Sequence, residues 1–206
     1  MKNIKAIVFD LGGVILNIDY QNTIQKFKLL GVKNTEDFYS KKSQSNLFNQ
    51  FEKGEISKKK FFAELQQKAP LSSTKELKDA WNSMLLDLPS KRIDILKKIS
   101  LNYSIFLLSN TNNIHISKFK QKIGKTRYNE FYELFSKVYY SHEIGMRKPE
   151  SRVFKLVLTE NNLSSSEVLF IDDSIQHIES AQKLGIKTYH LSNNEDISTL
   201  LPDIFL

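Results

Sequence analysis

The stretch Ala6-Ile7-Val8-Phe9-Asp10-Leu11-Gly12-Gly13-Val14 decides how the chain is read. A short apolar run of β type stops at a carboxylate and a pair of glycines, as a buried strand does when it enters a loop. The pattern recurs at Ile105–Leu108, Val138–Tyr140, Val168–Ile171 and Thr188–Leu191, each run followed by polar or glycine-containing residues. Helical periodicity fills the later intervals, over Ile114–Ile123, Glu150–Asn161 and Ile175–Leu184. Alternation of strand and helix predicts right-handed βαβ crossovers and a parallel sheet with helices on both faces.

The first interval departs from this rhythm. No strand candidate occurs between about residue 17 and Pro89, only helical spacing. Ile24, Phe27 and Leu30 form one apolar face, and Phe48 and Phe51 form another. Ser57 reads as the N-cap of a helix over Lys58–Lys68 with Phe61, Phe62 and Leu65 inward. Leu77, Trp81, Met84 and Leu85 suggest a fourth helix, and Pro89 opens a fifth that runs through Ile99. The expected organisation is an α/β core of residues 1–16 and 90–206, with residues 17–89 inserted as an all-helical cap. No internal repeat or low-complexity linker interrupts it.

Composition narrows the function classes. The chain has 206 residues, 40% of them hydrophobic, including 14 Phe and 8 Tyr, enough for a sizeable core. The absence of cysteine excludes disulfides, thiolate metal sites and thiol nucleophiles, and fits a reducing compartment. No apolar run reaches the ~18 residues of a membrane span, and the N-terminus lacks a secretory h-region. A cytoplasmic protein, monomeric or weakly dimeric, is expected, with no membrane partner. The net charge is +7, but Lys41-Lys42, Lys58-Lys59-Lys60 and Lys97-Lys98 lie on separate segments. No basic run is interleaved with stacking aromatics, so the charge reads as a solvated lysine-rich surface, and no nucleic-acid partner is expected.

Ligand sites of open α/β sheets lie at the carboxyl ends of the strands. Those ends carry Asp10, Ser109, Asp172 and Asp173, and Gly145-Met146-Arg147-Lys148-Pro149 follows the third strand. Carboxylates, a hydroxyl and a lysine converging on one sheet edge are the equipment of metal-assisted phosphoryl transfer. Hard carboxylate oxygens hold Mg²⁺, and hydroxyl, amide and ammonium groups stabilise phosphoryl oxygens.

Four segments carry a family resemblance: Phe9–Val14, Leu108–Asn112, Gly145–Glu150 and Phe170–Ser174. In this order they resemble the four motifs of the haloacid dehalogenase (HAD) superfamily, and the helical insert stands where a cap would stand. Within the superfamily the chain looks most like bacterial α-D-glucose-1-phosphate phosphatases and the N-terminal phosphatase domain of soluble epoxide hydrolases. The resemblance implies an Mg²⁺-dependent phosphatase acting on a small phosphorylated metabolite, with glucose 1-phosphate as a first candidate. Asp10 would be the nucleophile, already ionised at neutral pH. Ser109 and the Asn110 amide would bind phosphoryl oxygens, and Lys148 would pair with nucleophile and phosphate. Asp10, Asp173, Asp172 and the Gly12 carbonyl would surround the metal.

Gly12 departs from the commoner pattern, in which an aspartate two residues after the nucleophile protonates the leaving group. General acid catalysis is commonly worth ~10²–10⁴-fold, so poor leaving groups should suffer. Asp19 is read as a helix N-cap rather than a substitute acid. Trp81 is read as cap core, Met84 as a candidate for the entrance, His115 as a first-turn helix residue, and Arg147 as either phosphate-directed charge or a structural ion pair. Two alternatives follow. A catalytically weak relative would bind a phosphorylated metabolite or a protein without turning it over. A 2-haloacid dehalogenase would leave the Asp172-Asp173 pair idle.

Overall fold

The computed structural model describes residues 3–35, 46–192 and 194–205; the Lys41-Lys42 pair lies outside them. Strands β1 (Ala6–Phe9), β2 (Ser104–Ser109), β3 (Lys137–Tyr140), β4 (Val168–Asp172) and β5 (Lys187–His190) form one sheet among the described residues, in the order β3-β2-β1-β4-β5. Every pairing is parallel, with Phe9 opposite Leu107 on one side and Ile171 on the other.

Side-chain alternation explains why both faces are covered. Ile7, Phe9, Ile105, Leu107, Leu169 and Ile171 pack into one cluster, and Ala6, Val8, Phe106, Leu108, Val168 and Phe170 into the other. The three central strands are therefore apolar on both sides, which only a helix-covered parallel sheet can satisfy. Helices α5 (Ser90–Ser100), α6 (Asn113–Ile123) and α11 (Ile197–Phe205) share the first cluster through Leu96, Phe119 and Leu201. Helices α9 (Ser151–Glu160) and α10 (Ile175–Gln182) close the second through Phe154 and Ile178.

Between β1 and β2 run α1 (Tyr20–Leu29), α2 (Asn46–Glu52), α3 (Lys58–Lys68) and α4 (Thr74–Trp81). Asp19 caps α1 by accepting from the Gln21 amide, and Ser57 caps α3 by accepting from Lys60. Both caps follow the expected reading. Phe48 and Trp81 stack at 4.8 Å between ring centroids, with Trp81 fully buried, so the indole is a core residue as expected. The two connections to the sheet run side by side: Ile18 bridges Leu85 antiparallel, and Asn17 N–H donates to the Asp87 carbonyl at 2.9 Å. Buried Arg92 fastens this crossing, donating to the Ile15 carbonyl and Asn17 Oδ1 while pairing with Asp196.

Three local readings change. The fourth helix stops at Trp81; Asn82–Met84 form a 3₁₀ turn and Leu85 is extended, because this segment is already turning back toward the sheet. Helix α7 (Lys125–Tyr132) and helix α11 are additional. Tyr128 and Phe131 bury two residues of α7 in an otherwise polar stretch, too sparse a signal for periodicity to expose. Among the described residues, no helix is long and apolar enough to cross a membrane.

Candidate active site

Register alone brings the acidic residues together. Asp10 follows Phe9, whose partner is Ile171, so Asp10 lies level with Asp172, and its amide donates to the Ile171 carbonyl at 3.0 Å. Both carboxylates have the strand parity of Val8 and Phe170, and so share one face of the sheet. Lys148 enters on that same face from the loop that follows β3 and the one-turn helix α8 (Ser141–Ile144), its ammonium 5.4 Å from the Phe170 ring centroid. Lys148 Nζ donates to Asp172 Oδ2 at 2.6 Å and pairs with Asp10 Oδ1 at 2.8 Å. Lysine and Asp172 are both fully buried.

A buried lysine needs its position fixed. Asn110 supplies that by a reciprocal pair: its Oδ1 accepts from Lys148 N–H at 2.9 Å, and its Nδ2 donates to the Lys148 carbonyl at 2.8 Å. The Asn110 side chain thus holds the motif that carries the ammonium, a role the sequence reading missed while assigning the backbone amide to phosphate. Asp172 is fixed in turn by Ser174 N–H, which donates to Oδ1 at 2.8 Å, and by His177 Nδ1 at 2.9 Å from the same oxygen. His177 was also missed. It stands five residues beyond Asp172 in the first turn of α10, and that offset is the signal that could have found it.

Electrostatics follow from this packing. Burial raises the Asp10 carboxyl to about 7 against the pull of Lys148, with help from the Asp172 and Asp173 charges, so without metal it departs from the fully ionised carboxylate expected at neutral pH. Burial also opposes ionisation of Asp172, but Lys148 and the His177 contact overcome it and hold this carboxyl at about 2. Lys148 stays charged above its ordinary range: burial opposes the charge, and the two carboxylates outweigh it. Asp10, Asp172 and Asp173 each offer an oxygen within 4.8 Å of the others. Three carboxylates facing one ammonium leave an excess of negative charge in a buried place, which suits a hard divalent cation with oxygen preference.

Asp10, Gly12, Ser109, Asn110 and Asp173 line a cavity of about 80 Å³, with Lys148 and Asp172 buried beneath it. Met84, Leu85, His115, Tyr20, Glu52 and Arg147 form other parts of its wall. Arg147 proves to be an ion-paired residue: its Nη2 lies 3.0 Å from Glu52 Oε2, and Nη1 donates to Asn49 Oδ1. His115 sits in the first turn of α6, as expected, stacked on Trp81 at 4.5 Å.

The model of the haloacid dehalogenase-like hydrolases matches residues 7–191. The chain belongs to this family. It is 29% identical over 194 residues to a D-ribitol-5-phosphate phosphatase of Bacteroides thetaiotaomicron, covering 94% of each chain. A HAD family enzyme of the same organism, solved as a variant with magnesium and inorganic phosphate, superposes with a TM-score of 0.89 at 36% identity, over 96% of this chain and 98% of that one. A HAD-like hydrolase of Porphyromonas gingivalis follows, with a TM-score of 0.85 at 28% identity over 98% of both chains. The parallel sheet flanked by helices is thus the HAD-like fold the sequence led us to expect.

Proposed function

We propose that this protein is a magnesium-dependent phosphatase that hydrolyses phosphate monoesters of small sugars or polyols through an aspartyl-phosphate on Asp10. The observation that carries the reading is the Asp10–Lys148–Asp172 arrangement at 2.8 and 2.6 Å, below a cavity that also holds Ser109 and Asp173. A carboxylate beside a fixed ammonium, open to a phosphate-sized space, is suited to attack phosphorus. The similarity to a D-ribitol-5-phosphate phosphatase and to a magnesium–phosphate complex supports both the reaction class and the metal.

In this reading, an Asp10 oxygen forms the new bond to phosphorus as the ester oxygen departs with its electron pair and takes up a proton from solvent water. Water then attacks the phosphoryl-aspartate, releasing inorganic phosphate and restoring Asp10. Lys148 holds Asp10 in place and offsets charge on the phosphoryl oxygens, while Ser109 and the Asn110 amide donate to them. Asp10, Asp173 and the Gly12 carbonyl would hold the magnesium ion, with Asp172 in reach directly or through water. When bound, the ion would stabilise charge that builds on the transferring group. Residues 17–89 act as the cap that selects the leaving group, in a protein we place in the cytoplasm.

The test is phosphate release from p-nitrophenyl phosphate, ribitol 5-phosphate and glucose 1-phosphate, with Mg²⁺, with EDTA, and with Asp10→Asn. Activity that requires Mg²⁺ and disappears in the variant is expected. Silence across the panel in folded, Mg²⁺-supplied protein would favour the binding-only alternative, and halide release from 2-chloropropionate in EDTA would favour the dehalogenase.

A further inference from the structure

Glu52 is a carboxylate that the phosphoryl chemistry does not use, and its placement is costly. It ends α2 with 4% of its surface exposed and lines the same cavity as Asp10. Burying a carboxylate is unfavourable by several kcal/mol unless it is paired, and an apolar residue would join cap to sheet at lower cost. Arg147 supplies the pairing charge at 3.0 Å, but both of its terminal nitrogens are taken by the insert: Nη2 by Glu52 and Nη1 by Asn49. The loop that follows Glu52 is pressed onto the sheet side. Gly54 has φ +70, and a Cβ there would lie 2.4 Å from the His142 carbonyl. Glu52 is thus held over the pocket by a seated loop, with its partner guanidinium already committed.

The phosphoryl group must sit at the Asp10 end, so the leaving group occupies the space toward Glu52 and Arg147. A carboxylate there accepts hydrogen bonds and donates none. Hydroxyl groups satisfy it; a second anionic group meets like charge in a low-dielectric space, with both terminal nitrogens of the neighbouring guanidinium already engaged by the insert. We infer that Glu52, braced by Arg147, is the specificity residue of this pocket, selecting an uncharged, hydroxyl-bearing leaving group and rejecting one that carries a second anion. This rests on the phosphatase reading above and narrows its substrate class to alditol or neutral sugar phosphates.

The experiment compares kcat/KM for ribitol 5-phosphate and for its C1-carboxylate counterpart, ribonate 5-phosphate, with p-nitrophenyl phosphate as control, all at saturating Mg²⁺. Wild type should prefer the alditol ester by at least about tenfold. Glu52→Gln should lose about tenfold or more on ribitol 5-phosphate, a larger loss than on p-nitrophenyl phosphate, and bring the alditol-to-aldonate ratio close to one. Glu52→Asp, which keeps the charge, should retain rejection of the aldonate while losing rate on the alditol. Turnover of p-nitrophenyl phosphate with no alditol preference in wild type overturns the inference and leaves the phosphatase reading intact. An unchanged ratio in a folded Glu52→Gln overturns it too, as does equal loss on all three esters. Absence of Mg²⁺-dependent turnover of p-nitrophenyl phosphate by wild type would instead overturn the phosphatase reading itself.

Discussion

The Asp173 carboxylate occupies the space that a side chain on Gly13 would need: an ideal Cβ at residue 13 lies 2.2 Å from Asp173 Oδ2. Gly13 also has φ +80, where residues with a Cβ are strained. One glycine therefore turns the loop after β1 and lets the acidic end of β4 approach it.

Gly13→Ala combines both penalties. We expect a loss of roughly 1–3 kcal/mol from the backbone strain and displacement of Asp173 from the Asp10 side of the cavity. Calorimetric titration with Mg²⁺ should show at least about tenfold weaker binding, about 1.4 kcal/mol. Wild-type affinity in a folded Gly13→Ala would show that Asp173 needs no such approach.

Lys148→Met removes the cation shared by Asp10 and Asp172. One partner of a buried ion pair left alone costs about 3–5 kcal/mol, which for a chain of this size lowers Tm by roughly 10 °C. Added Mg²⁺ should recover part of that loss by supplying positive charge to the same carboxylates. Phosphatase activity should vanish in either case. Thermal melts with and without Mg²⁺ test this, and a Tm within a degree of wild type would show that Lys148 does not hold the site together.

Gly12→Asp asks whether the missing acid can be restored. A Cβ at residue 12 would stand 2.9 Å from Ile18 Cδ1, the far end of a side chain that can rotate. Overpacking should cost about 1–3 kcal/mol, and Ile18→Val in the same chain should recover part of it. Turnover of an alkyl phosphate relative to p-nitrophenyl phosphate should rise by about 10²-fold, the lower end of general acid catalysis. An unchanged ratio would mean that the leaving group already receives its proton from elsewhere.

His115 gives the protein an acid-side loss of stability. Asn112 Oδ1 caps α6 by accepting from the Ile114 and His115 amides, so its NH₂ faces His115 Nδ1 at 3.2 Å. The imidazole is therefore neutral, with Nε2–H donating to the Trp81 carbonyl at 3.1 Å, and burial lowers its pKa to about 4. Between the unfolded value near 6.5 and 4, the unfolded chain binds the proton that the folded one refuses, so stability falls as pH falls. The full contribution is present above pH 6.5, and roughly 3 kcal/mol of it is gone by pH 4. Denaturant unfolding across that range should show the slope, and His115→Gln should flatten it. Identical slopes would assign the acid sensitivity to other groups.

The reach of the sequence follows from how local each signal is. The run Ala6–Phe9, the carboxylate after it and the glycines beyond are read within nine consecutive residues, and the same holds for Ser109, Lys148 and Asp172-Asp173. Strand alternation with helix then fixes a parallel sheet, which brings all strand ends to one edge. Asp19 and Ser57 were legible as caps for the same reason, since a cap is defined by its next three residues. Glu52 was not legible: a glutamate closing a short amphipathic helix has the composition of a solvent face, and only packing buries it against Arg147, 95 positions along the chain. Asn110 on the Lys148 main chain and Asp173 over Gly13 are likewise contacts between loops from different strands. Periodicity tells a side chain which face it occupies but not what meets it there. The chemistry was therefore written locally, whereas the fixing of Lys148 and the Glu52–Arg147 wall of the cavity were decided by tertiary packing.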